Sequence, residues 1–179
     1  MQKLMQTSKT TQSISAKFTQ EKIMSIVPNP IISKGLFFFK QPEQIRWEYQ
    51  TPFKHLMIVA NGKMIVKDEN KTKEQDLSKN MAARELKKLI SGMVSGQMLQ
   101  NNKMFKTTVY ENANSYKLVL IPANPSIKNY IAKIQHYFNK ATLQTTRVEI
   151  MEKDGDQTIL TFDNVQVNGT VNDSMFKAP

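Results

Sequence analysis

Two imidazoles, His55 and His136, are the side chains of this chain best suited to acid–base work or metal binding near neutral pH. Each falls inside a stretch that reads as a β-strand, with no patterned carboxylate, hydroxyl or second histidine beside it. Isolated imidazoles supply neither the ligand set of a zinc site nor a base poised on a nucleophile. No cysteine is present, which removes thiolate nucleophiles, thiolate metal sites and disulfides together. Ser91-Gly92-Met93-Val94-Ser95-Gly96 lacks the G-x-S-x-G spacing of a nucleophile elbow and continues a helical pattern instead of following a strand. Gly-rich phosphate loops and dinucleotide fingerprints are also missing. The expectation is a protein that is not an enzyme and that uses neither a metal nor any other cofactor.

Lys and Arg outnumber Asp and Glu by 25 to 15, a formal charge of +10, which favours anionic partners without specifying a fold. Lys34 to Phe39 lies close to the RNA-binding strand motif K/R-G-F/Y-G/A-F-V-x-F/Y. Leu36 and Phe37 stand where that motif needs an aromatic and a small residue, and Gln41 stands in place of its last aromatic. Bases would find no stacking platform there, so no nucleic-acid partner is expected.

Lys34 to Pro52 contains the single tryptophan and reads as two β-strands joined at Gln41-Pro42-Glu43, because proline lacks the donor a ladder needs and suits a turn. After the turn, Ile45, Trp47 and Tyr49 alternate with Arg46 and Glu48, giving one large apolar face and one charged face. Before it, Leu36 to Phe39 is apolar without alternation, as in a strand covered on both faces or one lining a filled cavity. A hairpin is expected where Leu56 to Ala60 and Met64 to Val66 flank Asn61-Gly62.

Upstream, residues 1–14 read as a short helix and Ser15 to Ile26 as a strand ended by Pro28-Asn29-Pro30. Asp68 to Asn80 is charged and aperiodic, so it reads as a solvated loop. The period then changes: Ala82, Leu86, Leu89, Ile90, Met93 and Val94 fall at steps of three and four, which predicts an amphipathic helix. Further strands are expected at Phe105 to Glu111, Ser115 to Ile121, Ile131 to Asn139, Leu143 to Met151 and Thr158 to Val167.

The 179 residues make one domain, 1–179. About ten mostly antiparallel strands and one amphipathic helix predict a strongly curved sheet or open barrel whose concave side needs a cover. Eleven methionines and the aromatic strands fit either an ordinary core or a plastic cavity. No apolar run approaches the roughly 18 residues that cross a bilayer, so a soluble protein is expected. MQKLMQTSKTTQS has neither the apolar core nor the cleavage site of a secretory signal.

In order and spacing, several short motifs resemble those of the LolA family of outer-membrane lipoprotein carriers. They are Phe18-Thr19-Gln20, the Gly-led aromatic strand ending in a Lys-x-Pro turn (Gly35 to Pro42), Arg46-Trp47-Glu48-Tyr49 with Thr51-Pro52, and Asn61-Gly62-Lys63. Asp163-Asn164-Val165, Val167-Asn168, Asp173-Ser174-x-Phe176 and a terminal Pro179 complete the set. The resemblance implies a mainly β fold with a helical lid (α+β), an incomplete antiparallel half-barrel of about 10–11 strands covered by short helices. It also implies a periplasmic carrier, with its export signal absent from this sequence. Such a carrier holds lipoprotein acyl chains and passes them from an inner-membrane lipoprotein-releasing transporter to an outer-membrane acceptor. A lipid or lipoprotein sensor of the same fold with a protein partner is the alternative reading, and a free monomer is expected.

Matching the residues to the family pattern points Phe37, Phe39, Ile45, Trp47 and Tyr49 into the acyl-chain cavity and makes Leu86, Leu89, Ile90 and Met93 the lid. Proteobacterial carriers commonly place Arg before the turn proline, where it bonds to the lid. Gln41 occupies that position here and is the candidate latch, without the charge-assisted strength of Arg. Lys87 and Lys88 are candidates for steering the protein to acidic partners.

Overall fold

The computed structural model describes residues 2–69, 71–94 and 104–177. Alternation sets the sheet centre. Strands β1 (Ser13–Ile23), β2 (Ile31–Lys40) and β3 (Gln44–Thr51) pair antiparallel, with Ala16 opposite Phe37, Phe37 opposite Trp47, and Phe39 opposite Ile45. Their large apolar side chains therefore share one face. Strands β4 (His55–Ala60), β5 (Lys63–Asp68) and β6 (Thr72–Asp76) extend the sheet on one side. On the other lie β7 (Phe105–Glu111), β8 (Ser115–Pro122), β9 (Ile131–Asn139), β10 (Thr145–Glu152) and β11 (Gln157–Val167).

All eleven strands form one sheet in the order β6-β5-β4-β3-β2-β1-β11-β10-β9-β8-β7. Strand β1 joins the two halves by pairing with β11, and β6 and β7 are the outermost strands among the described residues. The fold is thus mainly β, an antiparallel half-barrel that does not close. Helices α1 (Gln2–Thr10) and α2 (Met81–Val94) cover its concave side, a one-turn helix α3 (Pro125–Lys128) links β8 to β9, and a 3₁₀ turn occupies Asp173–Phe176.

The non-alternating runs are explained by cover on the second face. Phe38, Leu56, Ile58 and Ile65 point to the convex side, where Val171, Met175 and Phe176 of the C-terminal segment pack on them. Arg46 holds that segment by donating from Nη1 to the Met175 carbonyl at 3.0 Å, and its Nη2 donates to Glu48 Oε2 at 2.6 Å. Asn172 caps the 3₁₀ turn, its Oδ1 accepting from Ser174 N at 2.9 Å.

Three local expectations shift. Residues 68–80 hold β6, whose side chains are nearly all exposed. An edge strand with both faces in water carries no apolar period to read. Strand β10 begins at Thr145, because Leu143 adopts φ 58° and belongs to the turn. The N-terminal helix ends at Thr10, and β1 starts at Ser13. Asn168 (φ 60°) secures this junction, its Oδ1 accepting from Gln12 N at 2.7 Å and its Nδ2 donating to the Thr10 carbonyl at 3.3 Å.

Gly35 is fixed by close packing. A Cβ there would lie 1.9 Å from the Glu48 carbonyl oxygen and 2.8 Å from two carbons of the Phe18 ring. Backbone cannot yield as a flexible side chain can, so Gly35→Ala is expected to separate β2 from β3 or displace Phe18, at a cost of about 3 kcal/mol or more. Thermal unfolding followed by circular dichroism checks this. A midpoint within a few degrees of the parent would contradict the packing.

Candidate functional site

Between the concave face and the two helices lies a cavity of about 410 Å³, within the range of roughly 300–1,000 Å³ typical of small-molecule sites. Ala16, Phe37, Trp47 and Tyr49 form one wall, and Leu118, Leu120, Phe138 and Phe162 form the other. Leu86, Leu89, Ile90 and Met93 of α2 make the roof, with Leu4 of α1 beside them. Phe18, on the same face but outside the lining, braces the first wall, its ring 5.2 Å from Trp47 and 5.1 Å from Tyr49, centroid to centroid. Offset and edge contacts of this kind hold large rings in place without hydrogen bonds.

The cavity takes part of the expected residue set. Phe37, Trp47 and Tyr49 line it, and so do all four expected lid residues. Phe39 and Ile45 share the concave face but lie outside the wall, 1% and 0% exposed, in a packed cluster with Val59, Met64, Leu77 and Ala83. Leu77 and Ala83 arrive with the start of α2, so the sheet end nearest the Pro42 turn becomes solid core.

Polar contacts hold the roof at its start and at its middle. Asn80 caps α2, its Oδ1 accepting from Ala83 N at 2.9 Å, and Lys87 pairs with Glu43 of the β2–β3 turn. Gln41 reaches elsewhere: its Nε2 donates to the Thr11 carbonyl at 3.3 Å and its own N–H donates to Gln12 O at 2.8 Å. It ties the turn to the end of α1, and the charged link to α2 comes from its neighbour Glu43. Lys88 is likewise engaged, with Glu85 at 2.9 Å within the helix, so neither expected steering lysine is a free charge.

Residues 9–179 match the family described as outer membrane lipoprotein carrier protein LolA. The chain belongs to the LolA family. Among solved structures, an uncharacterized conserved protein from Thermus thermophilus matches with TM-score 0.63 at 10% identity, covering 99% of this chain and 93% of that one. The Pseudomonas aeruginosa MucA/MucB complex matches with TM-score 0.58 at 8% identity, covering 99% of this chain and 59% of that one. A LolA superfamily protein from Nitrosomonas europaea matches with TM-score 0.49 at 9% identity, covering 99% and 97%. No curated protein matches the sequence. The first two likenesses support the fold alone.

Within this LolA-family cavity the polar groups gather toward its two ends. At one, the Tyr49 hydroxyl donates to Gln20 Oε1 at 2.8 Å, and burial raises the phenol's pKa, which keeps that proton in place. His55 pairs with Asp68 and meets the Tyr49 ring edge-on. Toward the other end Thr142, Gln144 and Thr145 line the wall beside His136. The His136 ring is buried, lies 4.0 Å from the Phe138 ring and shares a 2.8 Å hydrogen bond between Nε2 and Thr145 Oγ1. These polar side chains came from separate strands and a turn, so no linear spacing marked them. Glu152, Asp154 and Asp156 place carboxylate oxygens within 4.8 Å of one another outside the cavity. Lys22 bonds Glu152 and lies 3.7 Å from Asp156, offsetting part of their charge. Among the described residues no helix is long and apolar enough to cross a membrane.

Burial lowers the His136 pKa to about 3, against about 6.5 in an unfolded chain. Between those values the unfolded state binds a proton that the folded state refuses. Stability is therefore retained above about pH 6.5 and falls on acidification, by up to about 1.4 kcal/mol per pH unit. His136→Gln keeps a partner for Thr145 and removes this titration. Urea unfolding at pH 7 and pH 5 should show the parent losing about 2 kcal/mol more than the variant. Equal losses would mean that His136 takes up its proton in the folded protein.

Proposed function

We propose that this LolA-family protein carries lipoproteins through the periplasm by their acyl chains, taking them from an inner-membrane releasing transporter and delivering them to an outer-membrane acceptor. The supporting observation is an apolar cavity roofed by a helix that, among the described residues, is held to the sheet by side-chain packing and the Lys87–Glu43 ion pair. Ladder hydrogen bonds run only between strands, so α2 can leave without breaking the sheet.

Burying an acyl chain is worth about 0.8 kcal/mol per methylene, and a permanently open groove would hold a long chain too firmly to hand it on. A roof that occupies the same surface competes with the cargo. Closure hides Leu89 and Met93 against Trp47 and its neighbours, and loading must give up those contacts before gaining new ones. Apparent affinity is reduced by the fraction of open protein, and an acceptor with a better groove can then draw the chain away. This transfer runs on differences in burial and needs no catalytic residue, nucleotide or metal from the protein itself.

Tyr49, Gln20, His136 and Thr145 give the cavity acceptors and donors near its ends. They suit a cargo whose apolar tails meet ester and amide groups, since a buried polar group unmatched on either side is costly. Docking partners are expected to be proteins that engage the carrier in turn, and a monomer can meet each of them.

Leu89→Glu places a carboxylate under the roof and removes a buried leucine contact of about 1.5–3 kcal/mol. With closure weakened, this variant should bind a fluorescent fatty-acyl probe about ten- to a hundredfold more tightly than the parent and release it correspondingly more slowly. Ile90→Glu should act in the same direction. Unaltered probe release in both would remove the lid role. Release of lipoprotein from spheroplasts by the purified protein distinguishes the carrier from a lipid sensor of the same fold, which would bind probe and release nothing.

A further inference from the structure

Large apolar side chains are unevenly placed on the surface. Ile26 is 87% exposed, Phe53 74% and Tyr130 74%, with Ile23, Ile31, Ile32 and Ile121 exposed as well. All seven lie at the same end of the sheet, because strand polarity puts the β1–β2, β3–β4, β8–β9 and β10–β11 connections there. Those connections are neighbours along the rim, and hydrogen bonds join them. Ser25 N donates to Asp156 Oδ1 at 3.3 Å, and Lys153 N donates to the Tyr130 carbonyl at 2.9 Å.

Lysines stand among the tips. Lys54 follows Phe53, Lys128 lies two residues before Tyr130, and Lys34, Lys71 and Lys153 are exposed on the same end. The acids there are partly engaged: Asp68 pairs with His55, and Glu152 and Asp156 face Lys22. Glu69 and Asp154 are exposed. Isoleucine and phenylalanine at loop tips, an exposed tyrosine and several exposed lysines match the chemistry of an interface between acyl chains and anionic headgroups. The apolar anchors carry the inference, and six lysines against five acids leave this end slightly basic.

We propose that this rim docks on an anionic phospholipid surface, with Ile26 and Phe53 entering the acyl boundary, Tyr130 at headgroup depth and the lysines on phosphates. Phe53 is two residues from His55, which with Tyr49 and Gln20 lines the cavity at this end. A bilayer bound here would lie beside the cavity. The inference stands on surface placement and does not depend on what the cavity carries.

Co-sedimentation of the purified protein with phosphatidylethanolamine–phosphatidylglycerol vesicles at low salt tests it, with phosphatidylcholine vesicles as the uncharged control. The parent should partition onto the anionic vesicles and be released as salt rises. Ile26→Ser/Phe53→Ser leaves every charge in place and should weaken partition about tenfold or more, while acyl-probe binding stays at the parental level. Absence of parental binding to anionic vesicles would overturn the proposal, including the case where this rim serves a protein partner instead. Parental partition by the double variant would overturn it too, since surface charge alone would then explain the association. Phe53→Trp gives an independent check: brominated acyl chains should quench its emission beyond the quenching of Trp47 measured in the parent, and no added quenching on bound protein would rule out insertion.

Discussion

Hiding the concave face from water is the constraint on which the rest of this molecule depends. Eleven strands curl without closing, and curvature directs Phe37, Trp47, Phe138 and Phe162 toward a shared interior. A closed barrel of about eight strands can fill its interior with its own side chains, and a wider one needs other filling. Here part of the filling comes from α1 and α2. The surface beneath them remains a site because its cover belongs to a different element from its walls.

That division shows in how the two layers are held. The sheet is stitched by backbone ladders and by aromatic pairs such as Phe37 with Trp47, 5.1 Å apart. Hydrophobic contact supplies most of what secures the helices, and it is non-directional, so another apolar body can replace them. Polar links sit at the margins. Asn80 sets where α2 begins, Lys87 and Glu43 hold its middle against the β2–β3 turn, and Gln41 holds the end of α1. Asn168 and the convex-side anchor at Arg46 keep the chain's two ends on the sheet. Rigid walls and a replaceable roof are what binding with later release requires.

The two faces of β2 show how closely the layers are coupled. Phe37 belongs to the cavity and Phe38 to the convex cluster under Phe176. Adjacent residues in one strand therefore serve separate layers, the first exchangeable with cargo and the second fixed. Gly35 marks where Phe18 and the backbone of β3 approach too closely for any side chain. Neither face can shift without disturbing the other.

Sequence by itself determined the strands near the centre, the hairpin at Asn61-Gly62, the amphipathic face of α2 and the likeness to the family. Period, turn chemistry and motif order are local properties, and they survive in a linear reading. It placed Phe39 and Ile45 beside Trp47 on one face correctly, yet the depth at which that face stops being cavity depends on Leu77 and Ala83 arriving from a distant helix. It missed β6, since an edge strand in water needs no apolar alternation. The partner of Gln41, the Glu43–Lys87 pair, the polar set around His136 and the gathering of exposed isoleucines with Phe53 and Tyr130 were decided by tertiary structure alone. Each joins residues far apart in the chain, and only the antiparallel path of the sheet determines which of them meet.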